Sequence, residues 1–389
     1  MSTGRAAGSG EAANGQGDLI NRPRLDRFIA ARGLDAIIAV APENTFYLSG
    51  VFIRTQVSIR DRVAVVIWPA GDAPTLLVCN IEESLARSEA SIADVQSYVE
   101  FADDPMAVLA RIIRSRSLDR SVLGVESRYL SVEQMSVLSR SLPHASLVPI
   151  DKDLDAVRAS KTPAEVARIA AAYQLTETAI ASAWGRSSAG DTERTVANRM
   201  TQTMLDLGAD GIRHLTLAVG ENTVHPHATP GDRQLRRGDT VLTDVGAYVN
   251  GFASDMARMG IVGGADARQS GEYAIYREAY VDLVHSIEPG MRACDAYARC
   301  GNRLRQAGYD LGLPHVGHGV SRRGGHEYPM LEPRNQAVLE PGMLLAVEPG
   351  FRPRDDQRYH IEDLVLVTEV GAEILTDVAS TAEMIAIQG

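Results

Sequence analysis

The hydrophobic pattern of residues 22–149 alternates between helix-like and strand-like segments. Residues 24–32 have the spacing of a short amphipathic helix, which ends at Gly33. Three apolar runs are typical of buried strands: residues 35–40, 63–68 and 75–78. This alternation predicts an α/β layer fold for the first part of the chain.

Residues 44–50 and 52–62 interrupt this alternation and are predicted to form an exposed loop region, a candidate lid. We find no glycine-rich phosphate loop and no cluster of catalytic titratable groups in residues 22–149 as a whole. We therefore expect the first domain to be structural.

A polar stretch at residues 151–163 indicates a domain boundary. Thr162 then offers an N-cap, Pro163 occupies the first helical position, and Glu165 adds an acid to the first turn. These signals predict a long helix that ends near Trp184. The predicted organisation is a disordered tail at residues 1–18, an N-terminal domain at 19–150 and a C-terminal domain at 151–389.

The pattern between residues 238 and 258 predicts a β-hairpin that carries two aspartates. An apolar alternating run comes first, and the dipeptide Asn250-Gly251 is the one most typical of a tight turn. Asp244 lies in the first strand, and Asp255 follows eleven positions later, just after the turn. One sheet face can therefore carry both carboxylates. Facing carboxylates repel unless a cation or a shared proton lies between them, so the hairpin indicates a chemical site.

Further acidic side chains and histidines follow in the same half of the chain. Glu348 ends a strand predicted at residues 343–351, and Glu362 lies inside a strand predicted at residues 359–367. Carboxylates are uncommon in such apolar strands. Histidines occur in two glycine-containing segments: His225 and His227, then His315, His318 and His326. This concentration of titratable groups indicates a functional site rather than surface positions.

The composition and the net charge restrict the partners of the protein. The chain has 389 residues, 45% of them hydrophobic, and a net charge of −11 with a pI near 5.4. Nucleic acids and anionic membranes would repel such a surface. The three cysteines have no paired metal-binding spacing and suit a reducing compartment, and no apolar run is long enough to span a membrane. We therefore expect a cytoplasmic protein with no nucleic-acid or membrane partner.

Five segments of the C-terminal half form an ordered set: PHATPGDR at 226–233, TDVGAYVNGFASDMAR at 243–258, GHG at 317–319 with HEYP at 326–329, EPGMLLAVEPGF at 340–351 and HIEDLVLV at 360–367. YLSG at 47–50 and VRASKTPAEVARI at 157–169 complete the set. The set resembles the pita-bread metallohydrolases, which include methionine aminopeptidase, aminopeptidase P, prolidase and creatinase, and it is most similar to the prolidase branch. The resemblance implies a creatinase-like α/β N-terminal domain followed by a pita-bread catalytic domain.

The same resemblance implies a binuclear metal site with five ligands: Asp244, Asp255, His318, Glu348 and Glu362. Asp255 and Glu362 would bridge the two ions, and Glu348 would also accept a proton from a bridging water. Asp244 would bind one ion, while His318 and Glu348 would bind the other. Four carboxylates and one imidazole suit Mn²⁺ best among divalent ions, with Co²⁺, Zn²⁺ and Fe²⁺ as alternatives.

Two further histidines, His227 and His326, match the family's non-ligand histidines, which contact the tetrahedral intermediate and the leaving nitrogen. His225 competes with His227 on sequence alone, and the frame of PHATPGDR favours His227. We interpret His315 and His360 as structural.

Several arginines and two departures from the family pattern bear on the substrate. Arg258 is expected to orient carboxylates, and three arginines are candidates for binding a substrate carboxylate: Arg322, Arg323 and Arg334. The segment GVSRRGG at 319–325 is longer and more polar than its usual prolidase counterpart, and Phe252 replaces a common tyrosine.

The resemblance favours a metal-dependent hydrolase that cleaves Xaa-Pro dipeptides, or the N-terminal residue of Xaa-Pro peptides, through a metal-activated hydroxide. An alternative is a hydrolase or lyase for a small non-peptide substrate, similar to ectoine hydrolase, creatinase or the sulfoniopropionate lyases. A third hypothesis is a non-catalytic peptide-binding module, which the complete ligand set disfavours. In the prolidase and creatinase branches the N-terminal domain lends a loop to a two-fold-related neighbour. This implies a homodimer in which Arg54 or Arg60 lies near the neighbour's substrate pocket.

Overall fold

A computed structural model of the chain describes residues 19–322 and 325–389. These residues form two compact units, of which the first ends at Arg158 and the second begins at Ala159. The tail predicted at residues 1–18 lies outside the described residues. No helix in the described part of the chain has both the length and the apolar character needed to cross a lipid bilayer.

The described part of the first unit is built around a mixed sheet. Its helices are α1 (Arg22–Ala31), α2 (Pro42–Ser49), α3 (Arg54–Ser58), α4 (Glu83–Glu89), α5 (Pro105–Ser115), α6 (Val132–Ser141) and α7 (Asp151–Ala159). Its strands are β1 (Ala36–Ala39), β2 (Val65–Pro69), β3 (Thr75–Cys79), β4 (Asp94–Tyr98), β5 (Val122–Val125) and β6 (Ser146–Pro149). The strand order is β4-β3-β2-β1-β5-β6, with antiparallel pairing within β1–β3 and parallel pairing elsewhere.

Helices cover both faces of this sheet. One apolar cluster joins α1, α4 and α7 to one face, and a second joins α5 and α6 to the other. Every residue of β1, β2 and β3 is buried, as expected for strands that are covered on both sides. The predicted α/β class is confirmed.

The exposed loop predicted at residues 44–50 is wrong, because these residues belong to α2 and most of them are buried. The polar side chains find partners inside the unit. The Asn44 amide donates to the carboxylate of Glu126, which also accepts hydrogen bonds from the backbone N–H groups of Val40 and Ala41. The hydrogen bonds that the Glu126 carboxylate accepts make the burial of this acid and of the Asn44 amide nitrogen possible.

The second unit contains two sheets and several long helices. Its described helices are α8 (Pro163–Gly185), α9 (Glu193–Asp206), α10 (Ala267–Ser286) and α11 (Ala293–Gln306). Its described strands are β7 (Gly211–Val219), β8 (Thr240–Val249), β9 (Phe252–Ala253), β10 (Met256–Val262), β11 (Gly317–Gly319), β12 (Leu344–Val347), β13 (Gly350–Arg354), β14 (Gln357–His360), β15 (Asp363–Val367), β16 (Ala372–Ile374) and β17 (Ile385–Ile387). One sheet has the order β17-β10-β8-β7, the other has the order β11-β12-β15-β16, and β13 pairs with β14.

Local signals explain how two elements near the site begin. The Thr162 side chain accepts from the Glu165 backbone N–H while the Glu165 side chain accepts from that of Thr162, which completes the capping box of α8. Asn250 and Gly251 have φ values of 50° and 79°, and this pair of positive angles forms the tight turn between β8 and β9. The predicted helix and the predicted hairpin are both present.

The continuous strand predicted at residues 359–367 is wrong. β14 ends at His360 and pairs with β13, whereas β15 begins at Asp363 and pairs with β12. Glu362 therefore lies where the chain changes partners, and its backbone N–H donates to the carbonyl of Ala257 at 3.1 Å. Glu348 has an equivalent position in the gap between β12 and β13.

Candidate functional site

The structure brings the four carboxylates and the one histidine selected from the sequence as metal ligands into one cluster in the second unit. His318 Nε2 lies 3.7 Å from Asp255, 3.2 Å from Glu348 and 3.9 Å from Glu362. Ligand atoms of Asp244 and Glu362 also lie within 4.8 Å of one another. The cluster is therefore a compact set of oxygen and nitrogen donors.

Strand pairing places these side chains. Asp244 in β8 lies opposite Ala257 in β10, so Asp255, two residues before Ala257, falls on the same face. His318 lies in β11, opposite Ala346 of β12. The two sheets of the second unit thus each contribute side chains to the cluster.

Three members of the cluster, His318, Glu348 and Glu362, carry buried polar atoms that have no hydrogen-bond partner among the described residues. The Nδ1 of His318 lies 2.9 Å from the carbonyl oxygen of Gly319, which can only accept, so Nδ1 carries the proton of the neutral ring. Its Nε2 is buried and makes no aligned hydrogen bond to any described residue. Both carboxylate oxygens of Glu362 are likewise buried without a hydrogen-bond partner among the described residues. These buried atoms are in a position to act as ligands of a cation.

The electrostatics of the cluster agree with this arrangement. Burial, together with repulsion from Asp255, Glu348 and Asp244, raises the pKa of Glu362 well above its usual range. Burial also raises the pKa of Asp255, but hydrogen bonding to His214 and the charge of Arg213 outweigh it and leave that pKa low. A carboxylate that cannot ionise beside its neighbours becomes stable when a cation neutralises the group.

The donor set fits hard divalent cations. Four carboxylates and an imidazole converge, and thiolates are absent from the described ligand clusters. The orphaned Nε2 of His318 and the two oxygens of Glu362 are the atoms that such a cation would satisfy.

His214 belongs to the site but was not selected from the sequence. Its Nε2 lies 2.8 Å from Asp244 and 3.2 Å from Asp255. Burial lowers the pKa of this imidazole, but the hydrogen bonds to Asp244 and Asp255 outweigh burial, and the resulting pKa is about 9. His214 lies opposite Gly246, where a Cβ would come within 2.9 Å of the ring and 2.2 Å of the Ser254 carbonyl oxygen. Only glycine therefore leaves room for His214 against β8.

His315 and His360, interpreted above as structural, also lie at the site. His360 Nε2 is 3.4 Å from Glu348 and 3.7 Å from Asp244, and His315 Nδ1 is 3.5 Å from Glu348. Burial raises the pKa of Glu348, but the close imidazoles of His318 and His360 outweigh it and hold that pKa well below its usual range. His214, His315 and His360 therefore lie at the site in addition to the three histidines that the family resemblance assigns to it.

A cavity of about 590 Å³ opens over the cluster. His227 and His326 line it, together with Asp244, Asp255 and Glu348. His326 is half exposed, and burial together with the charge of His318 lowers its pKa. The competing histidine at position 225 is exposed and is not among the described residues that line the cavity.

The arginines that line the cavity are not those selected from the sequence. Arg322 lies 3.6 Å from Glu165, outside the cavity lining, and Arg334 is exposed. Arg323, the third candidate, lies outside the described residues. The structure places Arg213 and Arg358 in the cavity wall instead. Neither could be selected from a motif, because their placement depends on the register of β7 and β14.

Comparison with known proteins gives a consistent result over the whole chain. Residues 167–369 match the model of metallopeptidase family M24, and residues 22–160 match the creatinase/prolidase N-terminal domain. The chain is 29% identical over 357 residues to an Xaa-Pro dipeptidase from Pyrococcus furiosus, covering 91% of this chain and 96% of the relative. The solved prolidase from Pyrococcus furiosus superposes with a TM-score of 0.77 at 27% identity, covering 91% and 99%. An Xaa-Pro dipeptidase structure from Bacillus anthracis has a TM-score of 0.82 at 24% identity, covering 94% and 99%, which shows the shared fold.

Proposed function

Because the chain belongs to metallopeptidase family M24, and is therefore a metal-dependent hydrolase, we propose that it hydrolyses Xaa-Pro dipeptides or removes the N-terminal residue of Xaa-Pro peptides. The predicted combination of a creatinase-like domain with the catalytic domain of this family is confirmed. The Xaa-Pro substrate is supported by the Pyrococcus furiosus dipeptidase, which aligns along nearly its entire length. The observation that carries the proposal is the cluster of His318 with four carboxylates, all but Asp244 buried, beside an open cavity that three of the carboxylates line.

We assign two divalent ions, Mn²⁺ foremost, to a site formed by Asp244, Asp255, His318, Glu348 and Glu362. The family resemblance assigns Asp255 and Glu362 to both ions, and each carboxylate lies within 3.9 Å of His318 Nε2. When bound, such ions lower the pKa of a shared water enough to supply hydroxide near neutral pH and polarise the scissile carbonyl. The orphaned oxygens of Glu362 support this assignment.

We assign separate roles in the reaction to Glu348, His326 and His227. Glu348, which is nearly inaccessible to solvent and ionised, is the base that accepts the proton of the attacking water. His326 has a lowered pKa, so it is neutral near pH 7 and can donate a hydrogen bond to the developing oxyanion or to the leaving nitrogen, which receives its proton from Glu348. His227, exposed at the cavity rim, is placed to contact the substrate as it enters.

A turnover screen tests the proposal. The Mn²⁺-loaded protein should hydrolyse Xaa-Pro dipeptides or longer Xaa-Pro peptides, and the Asp255→Asn variant purified in parallel should not. Ectoine-type small molecules are included because they distinguish the alternative hydrolase. Turnover of these compounds without turnover of any Xaa-Pro peptide would replace the proposed substrate class.

The proposed enzyme acts in the cytoplasm as a homodimer. Cys79, Cys294 and Cys300 are free thiols, which suits a reducing compartment. The helix α3 supports the dimer, because none of its residues is buried and Val57 is 61% exposed. An exposed aliphatic beside Arg54 and Arg60 is the kind of surface that a second copy of the chain would cover.

A further inference from the structure

The guanidinium of Arg358 lies in the wall of the cavity without a partner. Arg358 is only 4% exposed, and its Nε and Nη1 atoms are buried with no hydrogen-bond partner among the described residues. No carboxylate of a described residue lies within ion-pair distance of it. The other arginine of the cavity differs, because Arg213 Nη1 lies 2.6 Å from Asp255.

Strand geometry directs Arg358 toward the cluster. Arg358 and His360 alternate along β14 and both line the cavity. Gln357 and Tyr359 point to the other face, where Gln357 Nε2 donates to Thr240 and Tyr359 donates to Glu272. The position of the guanidinium is therefore a consequence of the same strand that places His360 beside Glu348.

The backbone at this position is held on both sides. The N–H of Arg358 donates to Thr223 Oγ1 at 3.3 Å, and its carbonyl accepts from Gln357 Nε2 at 3.0 Å. These contacts fix the backbone from which the Arg358 side chain extends into the cavity wall. A buried charge with no ion-pair contact lowers stability unless a ligand supplies one, and Asp244 and Glu348 attract this guanidinium only from beyond ion-pair distance.

We propose that Arg358 binds a carboxylate of the substrate, an inference that rests on the proposed peptidase function. The planar guanidinium presents two parallel N–H groups that match a carboxylate. Two carboxylates are available on an Xaa-Pro substrate: the C-terminal carboxylate of a dipeptide and the side chain of an acidic first residue. Because Arg358 shares its strand face with His360, the bound carboxylate lies within a short peptide's reach of the catalytic cluster.

Kinetics on matched substrates test the proposal and distinguish the two carboxylates. The substrates are Ala-Pro with Ala-Pro amide, and Glu-Pro amide with Gln-Pro amide. Arg358→Met should raise KM about 10- to 100-fold for the substrate that carries the recognised carboxylate and leave its uncharged partner near the wild-type value. Arg358→Lys should raise KM by an intermediate factor, since lysine keeps the positive charge but lacks the two parallel N–H donors of the guanidinium.

Arg352→Met, at a half-exposed arginine of β13, is the matched control and should behave as wild type. Equal losses on the charged and uncharged members of both pairs would overturn the proposal.

A binding measurement separates this inference from the proposed function. Calorimetry on the Mn²⁺-loaded protein compares L-proline with L-prolinamide, and L-glutamate with L-glutamine, in wild type and Arg358→Met. Carboxylate binding that is weakened at least tenfold in Arg358→Met supports the inference even if no Xaa-Pro peptide is cleaved. Equal carboxylate affinity in the two proteins, or no carboxylate binding by wild type, would refute it even if peptides are cleaved.

Discussion

Arg258 donates a hydrogen bond from Nη1 to the backbone carbonyl of Glu362 at 2.8 Å, and from Nη2 to the carboxylate of Asp363 at 2.7 Å. Arg258 and Asp363 are both buried, and Tyr280 donates to the second oxygen of Asp363. This network holds the backbone at the point where Glu362 enters the site. The role expected for Arg258, that it orients carboxylates, agrees with these contacts.

We expect Arg258→Met to lower the free energy of unfolding by about 3–5 kcal/mol, because the Asp363 carboxylate would remain buried without its cation. Metal content should fall as well, since Glu362 loses its anchor. Urea unfolding and elemental analysis measure the two effects. The control is Arg268→Met, which removes a half-exposed arginine 3.4 Å from Asp266 and should cost less than about 1 kcal/mol. If Arg258→Met lowers the free energy of unfolding no more than Arg268→Met does, the network around Arg258 contributes little to stability.

The metal site should be binuclear. Wild-type protein reconstituted with Mn²⁺ should bind about two ions per chain, and Asp255→Asn should lose at least one, because Asp255 is assigned to both ions. Asp232→Asn removes an acid whose side chain is 85% exposed and should keep the full content. Elemental analysis decides between these results. Wild-type protein that holds no ion after reconstitution with Mn²⁺, Co²⁺ or Zn²⁺ would remove the basis of the assignment.

The two non-ligand histidines should affect rate rather than metal content. His227→Ala and His326→Ala should each lower kcat on the order of 10²-fold while both ions remain bound. His225→Ala is the control for the loop and should change kcat little. A larger effect from His225→Ala than from His227→Ala would show that the alignment of this loop is shifted by two residues.

Glu126 should make the stability of the first unit depend on pH. Burial raises the pKa of this carboxyl from about 4.5 to about 7, although N–H donors from Ala41, Asn44 and Val40 oppose the rise. Between these values the folded protein holds a proton that the unfolded chain releases. Its contribution to stability is therefore greatest below pH 4.5 and declines as the pH rises toward 7.

We expect the difference in unfolding free energy between wild type and Glu126→Gln to fall by about 2–3 kcal/mol from pH 4.5 to pH 7.5, and to stay constant above that. Urea unfolding followed by circular dichroism at several pH values measures it. The Glu126→Gln variant is the reference for wild type because a glutamine side chain does not titrate. A difference that does not change with pH would mean that Glu126 ionises normally in the folded unit.

Subunit mixing tests the proposed dimer. Arg60→Ala and Asp244→Ala chains, each of low activity alone, should regain part of the activity when mixed, because one site of each mixed dimer has both intact parts. Mixing Asp244→Ala with Glu348→Ala is the control, since both changes fall in one metal site and no mixed dimer restores it. Wild-type protein that sediments as a fully active monomer at micromolar concentration would rule out this arrangement.

Local signals were sufficient for much of the fold. The Asn250-Gly251 turn requires two consecutive positive φ angles, and those residue types adopt them readily. The start of α8 required only the capping pair Thr162 and Glu165. The convergence of Asp244, Asp255, His318, Glu348 and Glu362 was likewise anticipated, because each lies in or beside an apolar strand where a carboxylate or imidazole is conspicuous.

The parts that were missed depend on contacts between distant segments. His214 and Arg358 reach the site only through the register of β7 and β14, and a shift of one residue would turn either side chain to the opposite face. The break before Asp363 follows from a change of strand partner that no local pattern records. Residues 44–50 were predicted to form an exposed loop, whereas the burial of Asn44 depends on its contact with the distant Glu126.

The ligands assigned to the metal ions come from two separate sheets: Asp244 and Asp255 from the β8–β10 hairpin, and His318 from β11. A bound ion would therefore add a cross-link between the two sheets to the hydrogen bonds that Arg258 and the Glu362 N–H already make between them. Ligand binding stabilises the folded state in proportion to the logarithm of free metal, by about 2.7 kcal/mol at one hundred times the dissociation constant. The resistance of this enzyme to heat and to proteases would then be set by the metal supply of its surroundings as much as by its sequence.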